Sequence, residues 1–389
     1  MHRLPSICLI LSFISLSAEE GPHWAFAKPK RYKLPTVKQT DWPQNSIDYF
    51  ILSKLENANL KPSSAAGQAT LLRRVHLDLI GLPPTPSEVK SYLSDKSPDA
   101  YKKVVNKLLA SHHYGERWGR YWLDAARYAD SDGYSHDAPR VMWQYRDWVI
   151  SAINSDMPFD QFVIEQLAGD MLPNPTMAQR IATGFHRNTQ INTEGGVDKE
   201  QFRVDSIFDR IATTGEVMFG LTFGCVQCHD HKFDPFTHAE YYQMFAFFNQ
   251  ADEPRIEAPT AEESRNRANH AEKVKLLDTR VKALKERDPE RKKLAAELTK
   301  LKKARPRATT ALVMSQRKSP RITRRFILGN FTRPAETMKP GVPEILHAFP
   351  ETESANRLDF ARWVTSSNNP LMARVTINRM WSHYFGKGI

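Results

Sequence analysis

The sequence predicts a mainly α-helical protein: a multi-helix domain holding a Cys-x-x-Cys-His loop, then a charged helical hairpin, then the start of a second, mixed domain. Three observations carry this. From residue 46 to 250 apolar residues recur at steps of three and four, with no period-two run of any length. Helix-start signals stand ahead of several of these stretches, as in Thr85-Pro86-Ser87-Glu88 and Thr237-His238-Ala239-Glu240. Twenty-five prolines interrupt the chain, which favours short helices and loops over long sheets.

Residues 1–18 read as a signal peptide. Arg3 is the basic start, Ile7 to Leu16 the apolar stretch, and Ala18 the small residue before the expected cut. This places the protein in the periplasm, outside the cell or at its surface. It also leaves no membrane-spanning segment in the mature chain. Cys8 departs with the signal. Residues 19–45, rich in Pro and Lys toward their end, form a linker.

Within 46–250, Ser46 is expected to cap a helix with Ile47, Phe50, Ile51 and Leu55 on one face. Further helices follow through Leu71–Leu79, after Thr85-Pro86, and after Ser97-Pro98-Asp99. The aromatic stretch Tyr114–Tyr128 is expected to pack as core. Helices over 142–153, 159–167, 176–185 and 199–219 come next, and Thr237 opens another. Residues 262–305 read as a helical hairpin or coiled coil turning at Asp288-Pro289, because leucines and valines step by three and four on either side. Residues 308–389 begin a second domain that breaks off incomplete. Its signals are a strand at Ile322–Leu328 and helices through 358–364 and 371–384.

The net charge of +11 is gathered mostly after residue 264, as in Lys300–Arg305 and Arg317–Arg325. A solvated helical face with a basic linker accounts for it. The sharper reading is an anionic, sulfated or uronic-acid polysaccharide as partner. Nucleic acid is not expected, since export separates the protein from it.

Once the signal is removed, Cys225 and Cys228 are the remaining cysteines, both inside Cys225-Val226-Gln227-Cys228-His229. Two thiols three residues apart can add to the two vinyl groups of one haem, with the adjacent histidine beneath the iron. The expected cofactor is therefore covalent haem c, held by Cys225, Cys228 and His229. His229 is then the proximal iron ligand, and His186 and Met244 are the leading distal candidates, with Met218 and His238 behind them. A redox protein is the expected partner. Three other chemistries fit the same residues. They are a dithiol redox pair, a short-loop disulfide, and a zinc site using two of His229, His231 and His238. A glycan-binding or scaffolding module with such a structural site is the alternative function.

Outside this motif, Asp124, Asp130 and Asp132 with Arg127, and Glu194, Glu200, Arg203 and Asp209, could line a polar cleft. Glu194 and Arg203 are the catalytic candidates. Pairing along helix surfaces, such as Asp205 with Asp209-Arg210, is the simpler reading.

Several runs occur in a telling order: Glu116-Arg117-Trp118-Gly119-Arg120, His186-Arg187-Asn188, Glu194-Gly195-Gly196, Phe202-Arg203-Val204-Asp205, and Cys225 to Pro235 (CVQCHDHKFDP). Over residues 45–250 the chain resembles the planctomycete cytochrome-c-like domain. Asn356-Arg357-Leu358, Asn369-Pro370-Leu371 and Val375–Arg379 resemble the opening of the planctomycete-specific domain that follows it. The resemblance implies a large exported protein, a haem on the Cys-x-x-Cys-His, and a connection with glycan breakdown. The chain lacks the distal methionine expected some sixty residues beyond the motif in small cytochromes c.

Overall fold

A computed structural model describes residues 23–352 and 354–389; the expected signal peptide lies outside them. The described chain is mainly helical, with a few two-stranded ladders. The first helix, α1 (Ser46–Asn57), is capped by Asn45 rather than Ser46, because Asn45 and Asp48 exchange side-chain-to-backbone hydrogen bonds. Helices α2 (Gln68–Leu79), α3 (Pro86–Ser94) and α4 (Ala100–Leu109) form a small satellite with its own apolar contacts, Leu72 with Tyr92 and Val75 with Leu108. Thr85 and Glu88 make the expected capping box of α3.

The main core begins at α5 (His112–Ala125) and α6 (Trp143–Asn154), which pack closely where Gly115 meets the Ile150 carbonyl. It continues through α7 (Phe159–Ala168), α8 (Met177–Ala182), α9 (Lys199–Thr214) and α10 (His238–Asn249). The aromatic residues of α5 depart from expectation. Both tryptophans are half-buried, but Trp122 packs against this core, whereas Trp118 packs against His383 and Tyr384 near the chain's end.

The predicted helix over 199–219 changes pitch. After α9 the chain winds as a π-helix over Gly215–Phe219 and ends at Gly220 in the left-handed conformation. A Cβ on Gly215 would run into the Phe223 ring. Gly215→Ala is therefore expected to cost about 1–3 kcal/mol, the usual penalty for overpacking a filled interior. A lower urea midpoint at unchanged slope would show it.

Two short ladders follow α10. Strand β1 (Ala251–Asp252) pairs with β4 (Ser315–Gln316), and β2 (Arg255–Glu257) with β3 (Thr310–Leu312), both antiparallel. Between β2 and β3 the chain runs out and back through α11 (Ala261–Ala283) and α12 (Pro289–Lys303), the expected hairpin, with Leu294 and Leu298 buried in its seam. Its base is thus tied by the β2–β3 ladder. Lys300, Lys302 and Lys303 lie in the last turn of α12, where cations complement the helix dipole. Lys302 also pairs with Asp278 across the hairpin at 3.4 Å.

The strand expected at 322–328 shrinks to β5 (Arg324–Phe326), paired with β6 (Pro334–Thr337). A tight turn at Ile327–Gly329 ends β5, with Leu328 and Gly329 both at positive φ. The last helices are α13 (Arg357–Val364) and α14 (Met372–Phe385). Leu358, Phe360, Trp363 and Val364 of α13 belong to the same core as α7 and α10. Phe360 lies 5.1 Å from Phe247 and 5.7 Å from Phe248 between ring centroids. Each such side chain contributes roughly 1.5–3 kcal/mol of burial. Helix α13, within the segment expected to open a second domain, thus shares its core with the helices before it.

Candidate functional site

Cys225 lies in a 3₁₀ turn (Gly224–Gln227) between the π-helix and α10, and Cys228 caps that turn. Apolar packing holds this turn from below. Val226 is buried, and Phe223 sits edge-on against Phe219 and Phe236. From the side, the Gln227 carbonyl accepts from His238 Nε2 at 3.0 Å and from the Tyr242 hydroxyl at 3.1 Å, both on α10. The two cysteines are unpaired, Cys225 exposed and Cys228 half-buried.

The crowded histidines differ sharply in what their ring nitrogens do. His229 is exposed, and its Nδ1 lies 2.7 Å from the Asp230 carbonyl. A carbonyl only accepts, so Nδ1 carries the proton and Nε2 keeps a free lone pair. That is the tautomer of a metal-ligating imidazole braced by a backbone carbonyl. His231 is the reverse: its Nδ1 accepts from the Phe233 and Asp234 amides at 3.2 and 2.7 Å, which leaves the proton on Nε2. His238 donates through Nε2 to Gln227, and its Nδ1 takes Arg325 Nη1 at 3.1 Å. Burial, with Arg325 beside it, holds His238 below the usual imidazole range. His229 alone of the three offers an uncommitted lone pair. A four-ligand zinc site would have to dismantle the hydrogen bonds of His231 or His238.

The turn after β5 closes over the other side. A Cβ on Gly329 would lie 3.0 Å from Cys228 Sγ and 3.2 Å from the Gln227 side chain. Apolar side chains stand exposed nearby in sequence, Leu328 on that turn and Phe233 past the histidine.

Both leading distal candidates lie in the core. His186 is fully buried, its Nε2 donating to the Leu167 carbonyl at 3.3 Å and its ring set 5.2 Å from Phe248. Burial first, then Arg357 and Arg210, holds it well below the usual range, so it is a neutral core histidine. Phe248 lies six residues beyond Tyr242, about 9 Å further along α10 than the end that holds the turn. Met244 is buried about 200° around α10 from Tyr242, by helical geometry. Met218 is buried in the π-helix.

Glu194 and Arg203 are not joined. Glu194 sits half-buried in the loop before α9. Arg203 grips Glu200 with two hydrogen bonds, 2.8 and 2.6 Å, and donates to Asn249 at 2.7 Å. It clamps α9 to α10. Arg127 bonds Asp209 through its carboxylate at 2.8 Å and its carbonyl at 2.9 Å, across elements rather than along a helix face. Arg210 does not pair on the α9 surface; it turns inward to Glu253 at 2.6 Å, with Arg187 3.4 Å from the same carboxylate. Burial pushes Glu253 up, but Arg210 and Arg187 outweigh it and hold the carboxyl below its ordinary value. The sequence pattern missed Glu253 because it stands between two strands too short to register.

Among the described residues no helix is long and apolar enough to cross a membrane. No curated protein and no solved structure matches the chain. Residues 356–389 match the family model PSD1, a protein of unknown function (DUF1553). Residues 46–253, more than half of the chain, match the model PSCyt2, a protein of unknown function (DUF1549) whose name points to a cytochrome-like domain. The helical body that carries the Cys-x-x-Cys-His turn is the matched region, and the chain belongs to the PSCyt2 family.

Proposed function

We propose that this protein is an exported c-type haem protein in which Cys225 and Cys228 carry the haem and His229 is the proximal ligand. The observation that carries the reading is the donor set: two unpaired cysteines on one exposed turn, followed by a histidine whose Nε2 is free and whose Nδ1–H is fixed by a backbone carbonyl. Bound haem supplies a reversible one-electron couple. The chain holds the turn rigid through Val226, Tyr242 and His238, and keeps His231 and His238 committed elsewhere. Electron transfer to a redox partner protein outside the cytoplasm follows, in the service of polysaccharide metabolism.

A pyridine haemochrome assay on protein made with an export signal and a haem-attachment system tests this. A covalent c-type spectrum is expected, retained in denaturant and lost in Cys225→Ser/Cys228→Ser. A haem-free product, under conditions where a control cytochrome c matures, overturns the proposal.

A polysaccharide partner draws on a separate feature. A cleft of about 380 Å³ is lined by Arg187, Lys199, Arg203 and Arg321, against Asp252 and Glu253. Salt-sensitive retention on a sulfated-polysaccharide matrix that weakens in Lys199→Glu supports this partner; unchanged retention removes it.

A further inference from the structure

We propose that His112, His113 and Glu116, at the start of α5, form a binding site for a divalent transition metal of the zinc type. Their ligand atoms lie within 4.8 Å of one another, the one such group of three among the described residues. The imidazole centroids of His112 and His113 are 3.8 Å apart, and His113 Nδ1 is 2.7 Å from Glu116 Oε2. Two imidazoles and a carboxylate suit zinc and its neighbours, whereas calcium and magnesium take oxygen ligands. Around a tetrahedral ion with bonds of about 2.0 Å, neighbouring ligand atoms stand about 3.3 Å apart. His113 and Glu116 need to separate by only about half an ångström from where they stand, to admit an ion with bonds of that length.

The backbone beneath the three ligands is held fast. Asn154 of α6 accepts from the Gly115 amide at 2.7 Å and donates to the His112 carbonyl at 3.0 Å. The Ser111 hydroxyl accepts from the His113 amide, capping the helix. A Cβ on Gly115 would meet the Ile150 carbonyl, so this turn is pressed onto α6. These contacts fix the backbone from which the three side chains project. The positive end of the α5 dipole works against a cation here, and the Glu116 carboxylate offsets it. His112 is exposed and the side chains of His113 and Glu116 are partly so, which leaves the remaining coordination positions open to water. The site is remote in sequence from Cys225 and independent of any haem.

Cobalt(II) is the probe, because its spectrum reports the ligand type. Titration of the full chain is expected to give visible ligand-field bands without the near-ultraviolet charge-transfer band of a thiolate ligand. His113→Ala should weaken that binding by more than about tenfold, since even outer-layer partners of metal ligands are worth 10–100-fold. Glu116→Gln, which keeps size and exposure, should weaken it too, with circular dichroism unchanged in both. The proposal is overturned if the chain binds no cobalt, or if both variants bind as the parent does. A thiolate band that vanishes in Cys225→Ser/Cys228→Ser, with no other cobalt spectrum left, would also overturn it.

Discussion

Asp170→Ala is expected to cost the fold about 3–5 kcal/mol, the penalty for stripping one partner from a buried ion pair. Asp170 lies in the 3₁₀ turn after α7, and its Oδ2 accepts from Arg357 Nη2 at 2.8 Å and from the Gln316 amide at 3.0 Å. The Arg357 and Asp170 side chains are 0% and 3% exposed, so neither can turn to water when the other is removed. Arg357 also donates to the Leu167 carbonyl at 3.0 Å, the same oxygen that takes His186. One carboxylate thus ties α7, β4 and α13 together. Without it, a guanidinium is left in the interior with only the Leu167 carbonyl as partner. Asp170→Ala/Arg357→Met removes both charges and is expected to recover most of the loss, because the burial penalty of the lone ion disappears. Urea unfolding of the two single variants and the double variant measures this. A single-variant loss below about 1 kcal/mol would show that water reaches the pair.

This joint crosses the boundary that the sequence draws near residue 308. Charge and proline content shift sharply near residue 306, and motifs resembling a second domain begin at Asn356, so 308–389 reads as a new unit. Periodicity reports which residues of a helix are apolar, but not which core they enter. Phe360 and Trp363 fit either reading until Phe247 and Phe248 are found against them. Helices with a capping box, such as α3 and α10, were legible because the cap is a local signal. The strands β1 to β4 were not, since two or three residues cannot display a period. The same limit governs the site. The Cys225–His229 turn was readable from spacing alone, whereas the commitments of His231 and His238 depend on Phe233, Gln227 and Arg325, which no local pattern links. The distal candidates share this limit: a buried histidine or methionine looks the same in sequence whether it faces a cofactor or packs in a core, as His186 does against Phe248.

Gly329→Val is expected to prevent thioether formation at Cys228 while sparing Cys225. Gly329 has φ +71°, a left-handed conformation that a β-branched residue adopts only under strain. Even a bare Cβ there comes to 3.0 Å from Cys228 Sγ, and the branches of valine extend further into the space beside the thiol. The neighbouring Leu328 is already at φ +52°, so the turn has little freedom to move away. Cys225, by contrast, is exposed. On the haem reading, the variant should therefore keep one alkylatable cysteine after maturation. Its pyridine haemochrome should shift to the red, as one vinyl group stays unreacted. Gly329→Ala, which carries the Cβ without branches, should show the same change in part, and circular dichroism checks that the helical body is intact. A parent protein without haem would sink the cofactor assignment itself. A parent with haem, and a valine variant with both cysteines blocked, would leave that assignment standing and show that the turn yields to the thioether. Gly329 is then the residue that separates a turn built to cover a thiol from one built to leave room for what the thiol carries.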